Sequence, residues 1–209
     1  MAVQFRALND DNTTVQIDTN YRNLFLRQSG NAVTVSGGAF SYSAFNIANM
    51  VAPVIAVGGS TPAVAYCSKL DSTTGQFLIM CSGPAGTSVP YYIFDTAPSP
   101  TGTVGLKLFD ASGRCIFDSN QKAMRVVDMQ LVTGAPGGTY PAGRTYACVH
   151  SIFGYREVTR ENLQFRLEGT SFSGTTLSST LFTHHTMPSS PIVTNIRFGS
   201  YLVLDVTGY

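Results

Sequence analysis

Apolar and polar residues alternate along this chain in short bursts, and no stretch keeps the three-to-four-residue period of an amphipathic helix. In Leu163-Gln164-Phe165-Arg166-Leu167 the alternation is strict, which gives a strand one apolar and one wetted face. Comparable β-branched or aromatic runs occupy 32–35, 54–57, 63–67, 76–81, 91–94 and 106–109. They continue at 125–127, 145–152, 163–167, 177–182, 192–198 and 201–206. Gly, Pro, Asn, Asp and Ser separate them at the intervals of a β-sandwich or barrel. The pattern predicts an all-β, antiparallel fold, with room for one short helix at 43–50.

The chain also repeats itself. Ile17-Asp18-Thr19-Asn20 through Leu24 aligns with Phe117-Asp118-Ser119-Asn120 through Met124 at an offset of one hundred positions. The strands before them, at Phe5 to Asp10 and Leu106 to Asp110, align with a one-residue difference in the turn. Asn9-Asp10-Asp11-Asn12 and Asp110-Ala111-Ser112-Gly113 read as hairpin turns, whose residues tolerate positive φ or bond their own backbone. Asp18 and Asp118 then end the second strand, each followed by Thr/Ser-Asn, the pattern of an Asx-turn. A second echo pairs Tyr91-Tyr92-Ile93-Phe94-Asp95 with Tyr201-Leu202-Val203-Leu204-Asp205, and Pro98-Ser99-Pro100-Thr101-Gly102 reads as a linker. The chain therefore divides into two tandem β-sandwich-like repeats, 1–100 and 101–209. The alternative is one continuous sandwich in which the two hairpins are pseudo-symmetric partners.

Composition narrows the function. Charged residues are 12% of the 209, about half the roughly 25% of an ordinary soluble domain, while apolar residues reach 44%. So little charge suits a subunit whose surface is partly covered by neighbours, and it predicts self-association into a trimer or another symmetric state. With 13 basic and 12 acidic residues and no basic stripe, nucleic acid is not an expected partner. The longest apolar run, near 50–57, is far below the roughly 20 residues of a membrane span, and the first residues lack the pattern of a signal peptide. The expected setting is a cytoplasm, or a particle that leaves it. Cys67, Cys81, Cys115 and Cys148 lie 14, 34 and 33 positions apart, without zinc-ribbon or thioredoxin spacing. Reduced, half-buried thiols are expected, although Cys67 and Cys81 could face each other across a hairpin.

Val104-Gly105-Leu106-Lys107-Leu108-Phe109-Asp110-Ala111-Ser112-Gly113-Arg114, then Ile116-Phe117-Asp118-Ser119 and Met124-Arg125-Val126-Val127-Asp128, resembles small minor tail proteins of long-tailed bacteriophages. Pro141-Ala142-Gly143-Arg144-Thr145-Tyr146-Ala147 is similar to the strand entry that follows in that group. The resemblance covers 104–150 well and the first copy more loosely. It implies a virion component of the tail tip or baseplate, assembled in the host cytoplasm, whose partners are other tail proteins. It brings no catalytic residues with it.

Cys148 and His150 share one face of a strand, yet a dyad is normally assembled from distant segments, so packing is the better reading. His184 and His185 are adjacent, point to opposite faces of any strand and cannot chelate together within one chain; a turn before Met187-Pro188 is expected. An axial metal shared by three chains would be the exception. Most acids fall in turns (Asp10, Asp11, Asp71, Asp110) or at strand ends (Asp95, Asp118, Asp128, Asp205), while Glu157, Glu161 and Glu168 fit no motif. No paired carboxylates, nucleophile elbow or phosphate-cradling loop emerges. The expectation is a non-enzymatic structural protein needing no cofactor or metal. Its ten tyrosines keep a second reading open, a module recognising a host glycan or outer-membrane protein.

Overall fold

The computed structural model describes residues 6–8, 15–18, 23–71, 73–96, 103–131, 135–152, 155–158, 162–188, 195–197 and 199–209. Of these, 6–8, 15–18, 155–158, 162–163, 187–188 and 195–197 are described by backbone alone. The first half forms β1 (Arg6–Leu8), β2 (Val15–Asp18), β3 (Leu24–Val33), β4 (Val35–Ser36) and β5 (Ser41–Ile47). It continues with β6 (Val54–Gly58), β7 (Ala63–Asp71), β8 (Thr74–Cys81) and β9 (Ser88–Thr96). The second half forms β10 (Lys107–Phe109), β11 (Cys115–Asp118), β12 (Val126–Leu131), β13 (Gly138–Thr139) and β14 (Tyr146–Ile152). Then come β15 (Tyr155–Val158), β16 (Asn162–Ser173), β17 (Thr176–Pro188), β18 (Asn195–Arg197) and β19 (Ser200–Asp205). The fold is all-β and antiparallel. The helix expected at 43–50 is instead mostly β5, paired with β8 in unbroken register from Ser41↔Cys81 to Ile47↔Gly75. There Phe45 and Ile47, two apart, turn to the core as a strand's period demands.

Two large sheets face each other. One runs β12-β19-β14-β6-β9-β3; the other runs β13-β17-β16-β7-β8-β5-β4, with β15 and β18 branching from β16. Between them lie Ile55, Val57 and Ile93 against Ala65, Phe77 and Ile79 in one half, and Cys148, Tyr201 and Val203 against Phe172 and Leu177 in the other. The far face of the six-stranded sheet is apolar as well. Leu26, Val54, Phe94, Val149, Leu204 and Met124 meet there because the sheet curls until β3 reaches residues 122–124, just before β12. At that seam Leu26 N–H donates to Lys122 O (2.8 Å) and Met124 N–H to Leu24 O (2.7 Å), around the bridge Phe25↔Ala123.

The sequence repeat has a spatial counterpart of the same offsets. The β1–β2 hairpin pairs Arg6↔Asp18 and Ala7↔Ile17, then shifts register; β10–β11 pairs Lys107↔Asp118 and Leu108↔Phe117, then shifts at the same step. Likewise β3–β9 is bulged between Leu26 and Gln28, and β12–β19 between Val126 and Asp128. Matching the bulges makes Leu26 equivalent to Val126, Phe94 to Leu204, Tyr91 to Tyr201 and Asp95 to Asp205. The six-stranded sheet is then a palindrome about its central pair, β6–β14. Its register, Gly58↔Ala147 and Val57↔Cys148, continues to set Ala56 opposite Val149, which are themselves equivalent residues. A pseudo-two-fold axis passes between them.

Each repeat supplies three strands of that sheet, so the boundary near residue 100 separates two copies in sequence but not two closed sandwiches. The second sheet is shared in the same way, joined by Thr170↔Ala63 of β16 and β7. The reason is burial. Half a sheet of three strands leaves its inner edge unpaired, and joining the two inner edges removes both from water. Strands of both halves thus run through both large sheets.

Candidate functional site

The Cys148–His150 pair sits on β14 with both side chains inside the sandwich, 0% and 6% exposed. His150 Nε2 lies 3.2 Å from Thr170 Oγ1. Burial pushes the Cys148 thiol up to about 12 and the His150 imidazole down to about 3. A nucleophilic dyad needs thiolate beside imidazolium near neutral pH. Here both groups are uncharged at that pH, and their work is packing.

The carboxylates hold backbone. Asp118 is fully buried, and its Oδ1 accepts from Asn120 N–H (2.9 Å) and Asn120 Nδ2 (3.0 Å), the anticipated Asx-turn. The next two residues tie the hairpin's other arm: Leu106 N–H donates to Ser119 Oγ (2.9 Å), and Asn120 Nδ2 to Val104 O (2.8 Å). Asp118→Ala is therefore expected to cost about 1–2 kcal/mol, read as a lower urea midpoint; an unchanged midpoint would mean the carboxylate holds nothing. The side chain of Asp18, the turn at 9–12 and the side chains of Glu157 and Glu161 lie outside the described residues. Asp110 accepts from the backbone N–H of Ser112 and Arg114, both at 2.9 Å, and these bonds with Arg114 hold its carboxyl below the usual range. Asp95 accepts N–H bonds from Val51 (2.8 Å), Ala52 (2.7 Å) and Thr96 (2.8 Å). Its equivalent, Asp205, accepts from Thr207 N–H (2.9 Å) and pairs with Arg144 (2.5 Å) and Arg125 (3.5 Å). Burial works against that charge, but the bonds from Thr207 and Arg144 and the Arg125 charge keep the Asp205 carboxyl below its ordinary range.

Two acids depart from expectation. Asp128 is inside β12 rather than at a strand end, because the bulge turns it toward Tyr140, whose hydroxyl donates at 2.8 Å. Bonds from Gln130 and Tyr140 lower its pKa. Glu168, which no motif explained, accepts from Ser179 Oγ (2.7 Å) and the Tyr201 hydroxyl (2.8 Å).

His184 and His185 lie within β17, not in a turn. The ladder passes from Phe165↔His185 to Arg166↔Thr183, so His184 is the extra residue of a bulge, and its ring stacks on Phe40 at 4.8 Å. Burial lowers its pKa. Among the described residues no group of three or more His, Cys, Asp or Glu could hold a metal. All four cysteines are free; Cys81, Cys115 and Cys148 are buried, more so than expected. Cys67 and Cys81 do not face each other, since Cys67 pairs with Phe77 and Cys81 with Ala63 at the far end of the hairpin.

What the arrangement offers outward is an apolar edge. Among the described residues β12 ends the six-stranded sheet, and Val127, Met129 and Leu131 on it are 45%, 60% and 75% exposed. Leu131 stands in one cross-strand row with Ser200 and Ile152, and Ile152 is 58% exposed. Met129 stands in the next row with Leu202 and Val149, which help line an apolar cleft of about 370 Å³. The equivalent positions on β3, two bulged edge strands related by the pseudo-axis, are Arg27, Ser29 and Asn31. At these three positions one repeat carries polar side chains and the other exposed apolar ones, while Val33, two residues further along β3, is itself 63% exposed. The equivalence of these two triplets comes from the matching bulges, and the exposure of β12 marks the difference as a surface.

Comparisons with family models, with curated protein sequences and with solved structures find no match to this chain.

Proposed function

We propose that the chain is a structural, non-catalytic subunit of a bacteriophage tail tip or baseplate, which occupies a symmetric position and holds neighbouring tail proteins. The observation that carries the assembly role is the exposed apolar edge on β12, in a chain with only 12% charged residues. A strand edge with unpaired backbone groups and apolar side chains gains by adding a further strand. The uncharged Cys148 and His150, and the carboxylates committed to backbone amides and structural ion pairs, support the non-catalytic half of the reading. The tail assignment is supported by the resemblance of 104–150 to minor tail proteins. The test is proteomic: in purified particles the chain should be present at fixed stoichiometry and crosslink through Lys69, Lys107 or Lys122 to another tail protein. Its absence from washed particles would defeat the assignment.

A further inference from the structure

We infer that β12 is the contact between two copies of this chain, paired edge to edge and antiparallel about a two-fold axis centred on Met129. The self-pairing deepens the assembly role proposed above and rests on it.

The internal duplication supplies the control. At three equivalent outward positions on the two edge strands, β3 carries Arg27, Ser29 and Asn31 where β12 carries Val127, Met129 and Leu131. A strand edge facing only water gains nothing from that change, and an exposed apolar edge is an aggregation hazard that soluble proteins normally blunt. Covered by a partner, the same side chains are favourable.

The occupant follows from register and charge. An antiparallel pair centred on Met129 sets Met129 against its own counterpart, Val127 against Leu131 and Asp128 against Gln130, so no like charges meet. Asp128 is already bonded by Gln130 (2.9 Å) and Tyr140 (2.8 Å), which keeps its charge directed into its own chain. Pairing β12 with β3 of another copy would instead place the apolar row against Arg27, Ser29 and Asn31. Such a head-to-tail contact is heterologous and builds rings or filaments, whereas β12 with β12 is isologous and closes at two. The chain already uses this geometry once: β6 and β14, equivalent strands of the two repeats, pair antiparallel across the pseudo-axis. Two-fold strand addition would join the six-stranded sheets of two copies into one.

The experiment is sedimentation velocity with light scattering on the full chain, beside Met129→Lys/Leu131→Lys and the control Ser29→Lys/Asn31→Lys. The wild type and the control should be dimers, and the β12 variant should show half their mass with an unchanged melting temperature. Hydrogen exchange gives a second reading that needs no variant: the 127–131 amides should slow as protein concentration rises. A monomeric wild type, or an oligomer indifferent to lysine at 129 and 131 with exchange in β12 independent of concentration, overturns the self-pairing. If that monomer nevertheless has β12 protected within assembled particles, another tail protein is the occupant and the assembly role stands. If β12 is unprotected there too, both fail.

Discussion

Replacing Tyr201 with alanine should cost about 4 kcal/mol of folding stability, and replacing it with phenylalanine about 1–2 kcal/mol. Tyr201 is 0% exposed, among the largest fully buried side chains, and it packs with Tyr146, Phe172 and Val203 where the two sheets face each other. Alanine removes the ring and leaves a cavity that strands on both sides cannot easily close. Phenylalanine keeps the packing and removes the hydroxyl donated to Glu168 Oε2 at 2.8 Å. Urea unfolding checks both: midpoints should fall in that order with the slope unchanged. Equal losses for the two variants would mean the hydroxyl, not the ring, holds this region.

The equivalent residue, Tyr91, shows which part of this design the repeat preserves. Its hydroxyl accepts from Gln28 Nε2 (2.6 Å), and its ring packs on Phe45 at 5.0 Å. Each repeat thus seats the equivalent tyrosine between the sheets and anchors its hydroxyl on a polar side chain, but the anchor has changed from an edge strand of the same sheet to β16 of the other. Positions fixed by backbone pairing are retained across the copies, while side-chain partners have drifted.

That distinction also explains what was legible in the sequence. Strand positions near 54–57, 63–67, 76–81 and 145–152 could be read because β-branched and apolar residues there face a core on at least one side. The polar run Arg27-Gln28-Ser29-Gly30-Asn31 lay outside every predicted strand, yet it is the middle of β3. It is an edge strand and so needs few apolar residues, and Gly30 fits because a Cβ there would stand 3.2 Å from the Tyr91 hydroxyl. The repeat and its turns were visible because Asx-turn chemistry is local, spelled out within Asp118-Ser119-Asn120. How the copies join was not visible, because the β6–β14 and β7–β16 pairs connect segments far apart in the chain and are set by burial of strand edges, which no local pattern encodes. The apolar edge of β12 escaped for the related reason that Val, Met and Leu on a strand read equally as core until the neighbouring strand is known.

Lowering the pH from 6.5 to 4.5 should destabilise the fold by about 2–3 kcal/mol, with His150 responsible for most of the loss. Burial holds its pKa at about 3 in the folded chain, against roughly 6.5 when unfolded. Below pH 6.5 the unfolded state therefore binds a proton that the folded state refuses, and stability falls by about 1.4 kcal/mol per pH unit until the folded pKa is reached. Well above pH 6.5 the group is neutral in both states and contributes no slope. Asp128 and Asp205, whose folded carboxyls lie below the ordinary range, lose their contribution only at lower pH, so the window from 6.5 to 4.5 belongs mainly to histidine. His184, partly buried and also lowered, adds a smaller loss of the same sign. The repeat again supplies the control, because the residue equivalent to His150 is Val57, 1% exposed in the matching place of the other copy. His150→Val should remove most of the slope between pH 6.5 and 4.5 in urea titrations run at stepped pH. A wild-type slope near zero there would show that the folded chain protonates His150 readily, and that the space around it admits water.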